Sequence, residues 1–367
     1  MSIGHTIALT YNLKRPVREI DSVPFDFYSE FDSPATIESI AAAIRAGGHE
    51  VLLVEADDAL FGWLLSHPVD LVFNIAEGSR GKHRESQIPA LLETLGIPFT
   101  GSGSATLALA LDKTKTKQVL AYEGIPTPAW QLFTSPSTRL NPRLSFPLIV
   151  KPNREGSAKG IGRESVVRDE AALRVQVRRV IEQYRQEALA EEFIDGAELT
   201  VGVLGNEDAL VLPILEVDFS SCGRSGEFFY SWRMKEYQGN VEMGLVPTFH
   251  CPARLSAEAA AHVRAVALRA HRALGCRDLS RTDIRLRRDG TPFVLEVNPL
   301  PGLDPHESNF PMMTHAAGMA YPMLIKRVIE VAVGRYHEAA HAQEPSASPL
   351  PISHGAVGQL VASRTAP

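Results

Sequence analysis

The sequence predicts a mixed α/β protein whose N-terminal part is built on a parallel sheet. Over the first hundred residues, short apolar strand-like runs alternate with helical stretches, the pattern of parallel sheets. The chain has 367 residues, 44 % of them apolar and 22 % charged, an ordinary globular balance with length for two domains or more.

The runs "TIALTY" (6–11) and "EVLLVEA" (50–56) read as buried strands. Between them "TIESIAAAIRAGG" (36–48) is helical, with Gly47-Gly48 as its stop. "VDLVFNI" (69–75) is a third strand, and "SQIPALLETLG" (86–96) is a helix ended by Gly96. "SATLALALDKTKTKQVLAYEG" (104–124) reads as one helix, with Ser104 as N-cap and Gly124 as stop. "PRLSFPLIVKPNREGSAKGIG" (142–162) is a strand entering a Gly-rich loop, and the charged helix "DEAALRVQVRRVIEQYRQ" (169–186) follows. "EALAEEFI" and "AELTVGVLG" are strands, and 256–275 is a long amphipathic helix. Beyond about residue 335 the chain turns Ala/Pro/Ser-rich and aperiodic, so a disordered tail is expected over 336–367.

A net charge of −6 with no basic patch argues against a nucleic-acid partner. Cys222, Cys251 and Cys276 lack the spacing of a disulfide framework or zinc site and suit a reducing cytoplasm. No basic segment with a long apolar core opens the chain, so no signal peptide is expected. No apolar run approaches the ~18 residues of a membrane span.

The segment "RTDIRLRRDGTPFVLEVNPLPG" (281–302) carries the first chemical signal. Asp289-Gly290 predicts a two-residue hairpin loop. That register sets Asp283 opposite Glu296 and Arg281 opposite Asn298, with Leu295 and Val297 on the other face. Like charges facing each other across a sheet are unfavourable unless a cation lies between them. Oxygen donors without Cys or His favour Mg²⁺ over zinc. The competing reading is a solvated face neutralised by Arg281 and Arg285.

Upstream, a strand delivers Lys151 into a loop with Gly156, Ser157, Gly160 and Gly162. Glycines let backbone N–H groups approach an anion, and lysine supplies a point charge for phosphate. The loop fits neither the GxxxxGK[ST] nor the GxGxxG pattern. Glu191 and Glu198 flank a strand and turn, where acids are often plain surface but can also accept ribose hydroxyls.

From about residue 88 to 332 the chain resembles D-alanine–D-alanine ligases of the ATP-grasp superfamily. The matching pieces, in order, are "LLETLGIPFTGSG", "LALDKTKTKQVL", "IVKPNREGSAKGI", "EEFIDGAELTVGVLG", "CPARLS", "ALGCRDLSRTDI", "LEVNPLPG" and "AAGMAYPMLI". The resemblance implies an N-terminal domain over 1–103 and a two-lobed ATP-grasp domain over 104–335, its lobes meeting near residue 204. It implies that Lys113, Lys151, Gly156 and Ser157 contact nucleotide, phosphates or first substrate. Glu191, Phe193 and Ile194 would frame adenine, and Glu198 would hold ribose. Asp283, Glu296 and Asn298 would hold two Mg²⁺, with Mn²⁺ as a substitute, and Arg281 and Lys235 would serve the reacting groups. Gly302 and Ser308 would line the acceptor site. The implied reaction is ATP-driven formation of an acyl phosphate, then attack by an amine to give a dipeptide, ADP and phosphate, a step of peptidoglycan biosynthesis. The implied partners are amino-acid substrates, with no membrane and with a homodimer left open.

The departures lie at the substrate end. The family's "EHEVS" glutamate, which binds the first substrate's amino group, has no direct match; Glu30 or Asp32 in "FYSEFDSP" is the candidate. The family's "HG…GEDG" is replaced by "EGSRGKHRES" (77–86). Arg80, Lys82, His83 and Arg84 there read as a solvated basic loop or as a cradle for an acidic group. His306 reads as a surface or supporting residue. Two other functions stay open: an ATP-grasp ligase for a different carboxylate and amine, and a non-catalytic nucleotide-binding protein.

Overall fold

The computed structural model describes residues 4–17 and 23–342, with side chains through 338. The expected tail from 343 onward lies outside the described residues.

The N-terminal part holds β1 (Thr6–Tyr11), α1 (Pro34–Ala46), β2 (Glu50–Glu55), α2 (Leu60–Ser66), β3 (Leu71–Asn74) and α3 (Gln87–Leu95). The three strands form a parallel sheet in the order β2-β1-β3. Helix α1 begins where Ser33 Oγ accepts from Thr36 N at 3.1 Å and Pro34 occupies the first turn. Gly96 ends α3 with φ +66°, a left-handed cap that favours glycine. The short helix α2 was not foreseen.

The predicted helix over 104–124 is two helices, α4 (Ser104–Leu111) and α5 (Lys113–Tyr122). Asp112 leaves the helical region between them (φ −82°, ψ 96°) and caps α5 by accepting from Lys115 N at 3.1 Å. Gly103, not Ser104, is the N-cap of α4.

Next come β4 (Trp130–Phe133), β5 (Leu148–Pro152), β6 (Val166–Val167), α6 (Glu170–Tyr184) and β7 (Ala188–Glu192). Their strands make an antiparallel sheet ordered β4-β7-β5-β6, covered by α6. The last part holds β8 (Gly196–Leu204), β9 (Leu210–Val211), β10 (Leu215–Asp218), α7 (Trp232–Glu236), β11 (Thr248–His250) and α8 (Ala257–Ala273). It continues with β12 (Leu279–Arg287), β13 (Pro292–Asn298), α9 (Asn309–Ala316) and α10 (Tyr321–Ala342). Here the antiparallel sheet runs β11-β10-β8-β12-β13, with β9 on β8, and α8 covers it. Helix α10 thus continues past residue 335, where the tail was expected to begin. Its Leu324, Ile325, Val328 and Ile329 pack on Ile37, Ile40 and Ile44 of α1 and on the parallel sheet.

Asp278 ties these parts together. It is fully buried at φ +62° and accepts from Gly101 N at 2.8 Å and from Arg335 Nη2 at 2.9 Å. Arg335 also donates to Phe99 O at 2.9 Å. Asn tolerates the left-handed backbone, so Asp278→Asn isolates the charge. It should cost roughly 2 kcal/mol in urea denaturation, the scale of a hydrogen bond to a charged partner. No helix among the described residues is long and apolar enough to cross a membrane.

Candidate active site

The hairpin β12–β13 sets the chemistry of the cleft. Its loop has three residues, Arg288 to Gly290, closed by Arg287 N donating to Thr291 O at 3.0 Å, rather than the predicted two. Gly290 takes φ +84°. That change alone would shift the register by one. A bulge at Leu295 shifts it back, so Asp283 does face Glu296 and Arg281 faces Asn298. The bulge also turns Leu295 into the cleft beside Glu296, where strict alternation placed it on the opposite face.

The cleft lies between the two antiparallel sheets. It brings together Lys113, Lys151, Glu191, Phe193, Ile194, Glu198, Lys235, Arg281, Asp283 and Glu296, residues the sequence had marked from five separate segments. Arg281 donates to Asp283 through two bonds of 3.0 and 2.8 Å and stands 3.9 Å from Glu296. Lys113 lies 3.2 Å from Glu296. Burial alone would raise the Glu296 carboxyl, but Lys113, Lys151, Lys235 and Arg281 hold it well below its ordinary value. The face is salt-bridged, as the competing reading had it, but it lines a cleft instead of facing bulk solvent. Four cations converging on one carboxylate leave positive charge for a polyanion to meet.

Glu191 does more than flank a strand. It is 1 % exposed, accepts from Lys151 Nζ at 2.6 Å, and pairs with Lys117 Nζ at 2.8 Å. Lys117, fully buried on α5, was missed; in "DKTKTK" it looks like one more solvated lysine. Burial pulls its ammonium down to about 8 against the attraction of Glu191. Glu198 accepts from Arg285 Nη2 at 2.6 Å. Arg285 stands over the Phe193 ring at 5.3 Å, and Phe193 packs edge-on to Phe229 at 6.0 Å, giving an apolar slot at the cleft's end. Lys235, on α7, sits 5.3 Å from the Tyr230 ring; burial and the nearby Arg281 lower its pKa.

The Gly-rich loop is tied to the N-terminal part. Gly160 N donates to Asp26 Oδ2 at 2.8 Å, and Lys159 Nζ donates to Glu30 Oε2 at 2.6 Å. Trp232, the first residue of α7, donates from Nε1 to Ser29 Oγ at 2.8 Å. A Cβ on Gly156 would meet Glu30 Oε1 at 2.5 Å, so this contact needs glycine. Ser157 and Ala158 take left-handed φ of 46° and 55° at the loop's crest. Ser157, Gly156, Glu30 and Asn298 line an adjoining cavity that shares Lys113 and Glu296 with the cleft.

Of the two N-terminal candidates, Glu30 reaches this cavity. Asp32 does not line it; it packs near Asp304, and burial first, then Asp304, pushes its carboxyl up to about 7. Arg80 and Lys82 are exposed and pair with Asp58 and Glu187, whereas Arg84 is buried and donates to Glu30 at 2.8 Å. Gly302 and Ser308 sit against each other after β13, where a Cβ on Gly302 would meet Ser308 Oγ at 2.8 Å. Neither lines the cleft or the adjoining cavity. His306 is exposed.

Comparison with known proteins agrees with this geometry. The family model described as the D-ala D-ala ligase C-terminus matches residues 119–330. A D-alanine–D-alanine ligase of Nitratidesulfovibrio vulgaris is 39 % identical over 303 residues, covering 82 % of this chain and 92 % of that protein. The chain belongs to the D-alanine–D-alanine ligase family. An uncharacterized protein of Sinorhizobium fredii is 36 % identical over 307 residues, 82 % of this chain and 88 % of that one. The crystal structure of the Bacillus anthracis D-alanine–D-alanine ligase complexed with ATP superposes with a TM-score of 0.70 at 25 % identity, covering 92 % of this chain and all of that one. The fold is therefore ATP-grasp, with a parallel-sheet N-terminal domain and antiparallel sheets beyond it.

Proposed function

We propose that this protein is an ATP-dependent carboxylate–amine ligase that joins two amino acids through an acyl phosphate, with D-alanine as the first substrate to test. The observation that carries it is the convergence of Lys113, Lys151, Lys235 and Arg281 on the oxygen-only Asp283–Glu296 pair, in a family member. Homologous ligases and an ATP complex among the structural relatives support ATP as the co-substrate.

Each group has a role its surroundings allow. Phe193, Ile194 and Phe229 offer the apolar slot for the base, and Glu198 a carboxylate for ribose. Lys113 and Lys151 meet the phosphates. Arg281, fixed by Asp283, and Lys235 face the reacting end, where a preformed cation stabilises developing oxyanion charge. The loop from Gly156 to Gly162 excludes water that would hydrolyse an acyl phosphate. Asp283, Glu296 and Asn298 supply only oxygen donors, which fits Mg²⁺, or Mn²⁺ in its place. Bound there, two such ions would neutralise charge on the transferring phosphoryl group.

ADP release coupled to an indicator reaction tests the proposal. D-alanine alone, then D-alanine paired with other amino acids and hydroxy acids, should show substrate-dependent ADP above the ATP-only rate. No release with D-alanine alone but release with another pair would give the second reading, a ligase for different substrates. Glu30 favours testing that reading, because Arg84 and Lys159 already occupy its carboxylate. No release with any pair would leave a nucleotide-binding protein. Limited proteolysis adds a separate check. Cutting within 156–162 should slow with Mg²⁺ and a non-hydrolysable ATP analogue, and equal cutting in both states would mean the loop does not close on nucleotide.

A further inference from the structure

One buried carboxylate at the cleft is held by two lysines, and only one of the two reaches the cleft. Glu191 Oε1 accepts from Lys151 Nζ at 2.6 Å, while Oε2 has Lys117 Nζ beside it at 2.8 Å. Lys151 and Glu191 line the cleft; Lys117 does not, and reaches Glu191 from α5. It has no exposed surface. Its ammonium also donates to Thr127 Oγ at 2.7 Å, and Thr127 in turn donates to Val294 O of β13 at 2.8 Å. Lys117 Nζ stands 5.9 Å from the Trp130 ring of β4. The packing thus fixes Lys117 from several elements. Lys151 has Glu191 as its only hydrogen-bond partner among the described residues.

The charges of this triad do not cancel. One carboxylate lies between two ammonium groups, so one positive charge is left over, and the triad opens to the cleft at Lys151. Burying an ammonium is costly. Lys151 and Glu191 alone would already make a neutral pair, so Glu191 does not need Lys117 for its balance. The consequence falls on Lys151. With Lys117 against Oε2, Glu191 draws less on Lys151, whose ammonium keeps two of its three donors. Resting on the function proposed above, we infer that Lys117 is a positioning residue for the nucleotide: it holds Glu191 from outside the cleft and so keeps the charge of Lys151 available to a phosphate. Without Lys117, Glu191 and Lys151 close on each other and the phosphate loses that charge.

Lys117→Met removes the ammonium and keeps an unbranched side chain. Glu191 still has Lys151, so no buried charge is left unpaired. Calorimetric titration with Mg²⁺ and a non-hydrolysable ATP analogue should give a Kd raised by ~10-fold, the range of a weakened hydrogen bond between charged groups. In the ADP-release assay the ATP KM should rise with it, and the amino-acid KM should stay near wild type. Lys117→Met/Glu191→Gln removes one charge of each sign and leaves Lys151 unneutralised, so it should regain most of the lost affinity. An unchanged Kd in Lys117→Met would overturn the inference. So would a loss that the double variant does not recover, which is what a purely structural lysine gives. If Lys117→Met does not fold, pH makes the same change in the wild type. The titratable groups facing Lys117 are Glu191 from β7, Lys151 from β5 and Lys113 from its own helix; burial, opposed by Glu191, brings the Lys117 ammonium down to about 8. The wild-type Kd should therefore rise by ~10-fold between pH 7 and pH 9.5, and that of the double variant far less, since the other groups are common to both. Parallel profiles would overturn the inference. If the wild type binds the analogue but releases no ADP with any pair, the proposed function fails and the titrations still decide the role of Lys117. No binding by the wild type would overturn both.

Discussion

Glu296→Gln should lower kcat by about 10³-fold or more, because a lost ionic contact to the transferring phosphoryl group is worth several kcal/mol. The fold should persist. Gln has the shape of Glu, and its amide oxygen can still accept from Lys113, now 3.2 Å from the carboxylate. Lys113 also keeps its bond to the Glu155 carbonyl. What disappears is the negative charge that Lys113, Lys151, Lys235 and Arg281 together keep ionised. Without it, Asp283 alone faces the site, and Asp283 is already engaged by Arg281 at 2.8 Å. The loss should therefore appear in kcat and in the Mg²⁺ concentration needed for turnover. Melting followed by circular dichroism should change little. Near-wild-type ADP formation by Glu296→Gln would remove Glu296 from the proposed metal site.

The hairpin shows how a sequence reading can reach the right pairing by an incomplete route. Asp-Gly marks a tight turn whether the loop holds two residues or three, because both need a residue at positive φ and Gly290 supplies it at +84°. Nothing in "FVLEV" announces the bulge at Leu295 that restores the register. Local patterning also joined α4 to α5. The break at Asp112 depends on distant partners: its carboxylate accepts from Asn153 Nδ2 and Arg154 Nε at 2.9 and 3.0 Å. Residues that carry their chemistry in a motif, such as Lys151 or Asp283, were visible. Residues that acquire it by burial were not. Lys117, Glu85 and Asp26 have neighbours in sequence that resemble ordinary surface, and only the packed chain removes them from water.

Glu191→Gln should destabilise the protein by roughly 3–5 kcal/mol at neutral pH, the scale for removing one partner of a buried ion pair. That is a large share of a typical domain's total stability. The reason is Lys117, which has no exposed surface and lies 2.8 Å from Glu191. Its other polar contact is the Thr127 hydroxyl at 2.7 Å. In the wild type, burial lowers the Lys117 ammonium to about 8, with Glu191 opposing the fall. Between pH 8 and the ordinary lysine value near ~10.4, the unfolded chain holds a proton that the folded chain has lost, so this group adds stability as pH rises. Removing the Glu191 charge lowers Lys117 further and extends that window downward through neutral pH. The deficit of the variant should therefore be largest near pH 7, where the wild type has a charged pair and the variant has none. It should shrink as pH climbs through 8 toward 10, where Lys117 is neutral in both folded proteins. Lys151, which also loses its 2.6 Å contact with Glu191, adds to the deficit but opens onto the cleft and so adds less. Urea denaturation of both proteins at pH 7 and pH 9.5 measures the difference directly, since groups common to both cancel. A deficit under about 1 kcal/mol at pH 7, well below the cost of an unpaired buried charge, or one that does not shrink at pH 9.5, would show that Glu191 is not what keeps Lys117 charged inside the protein.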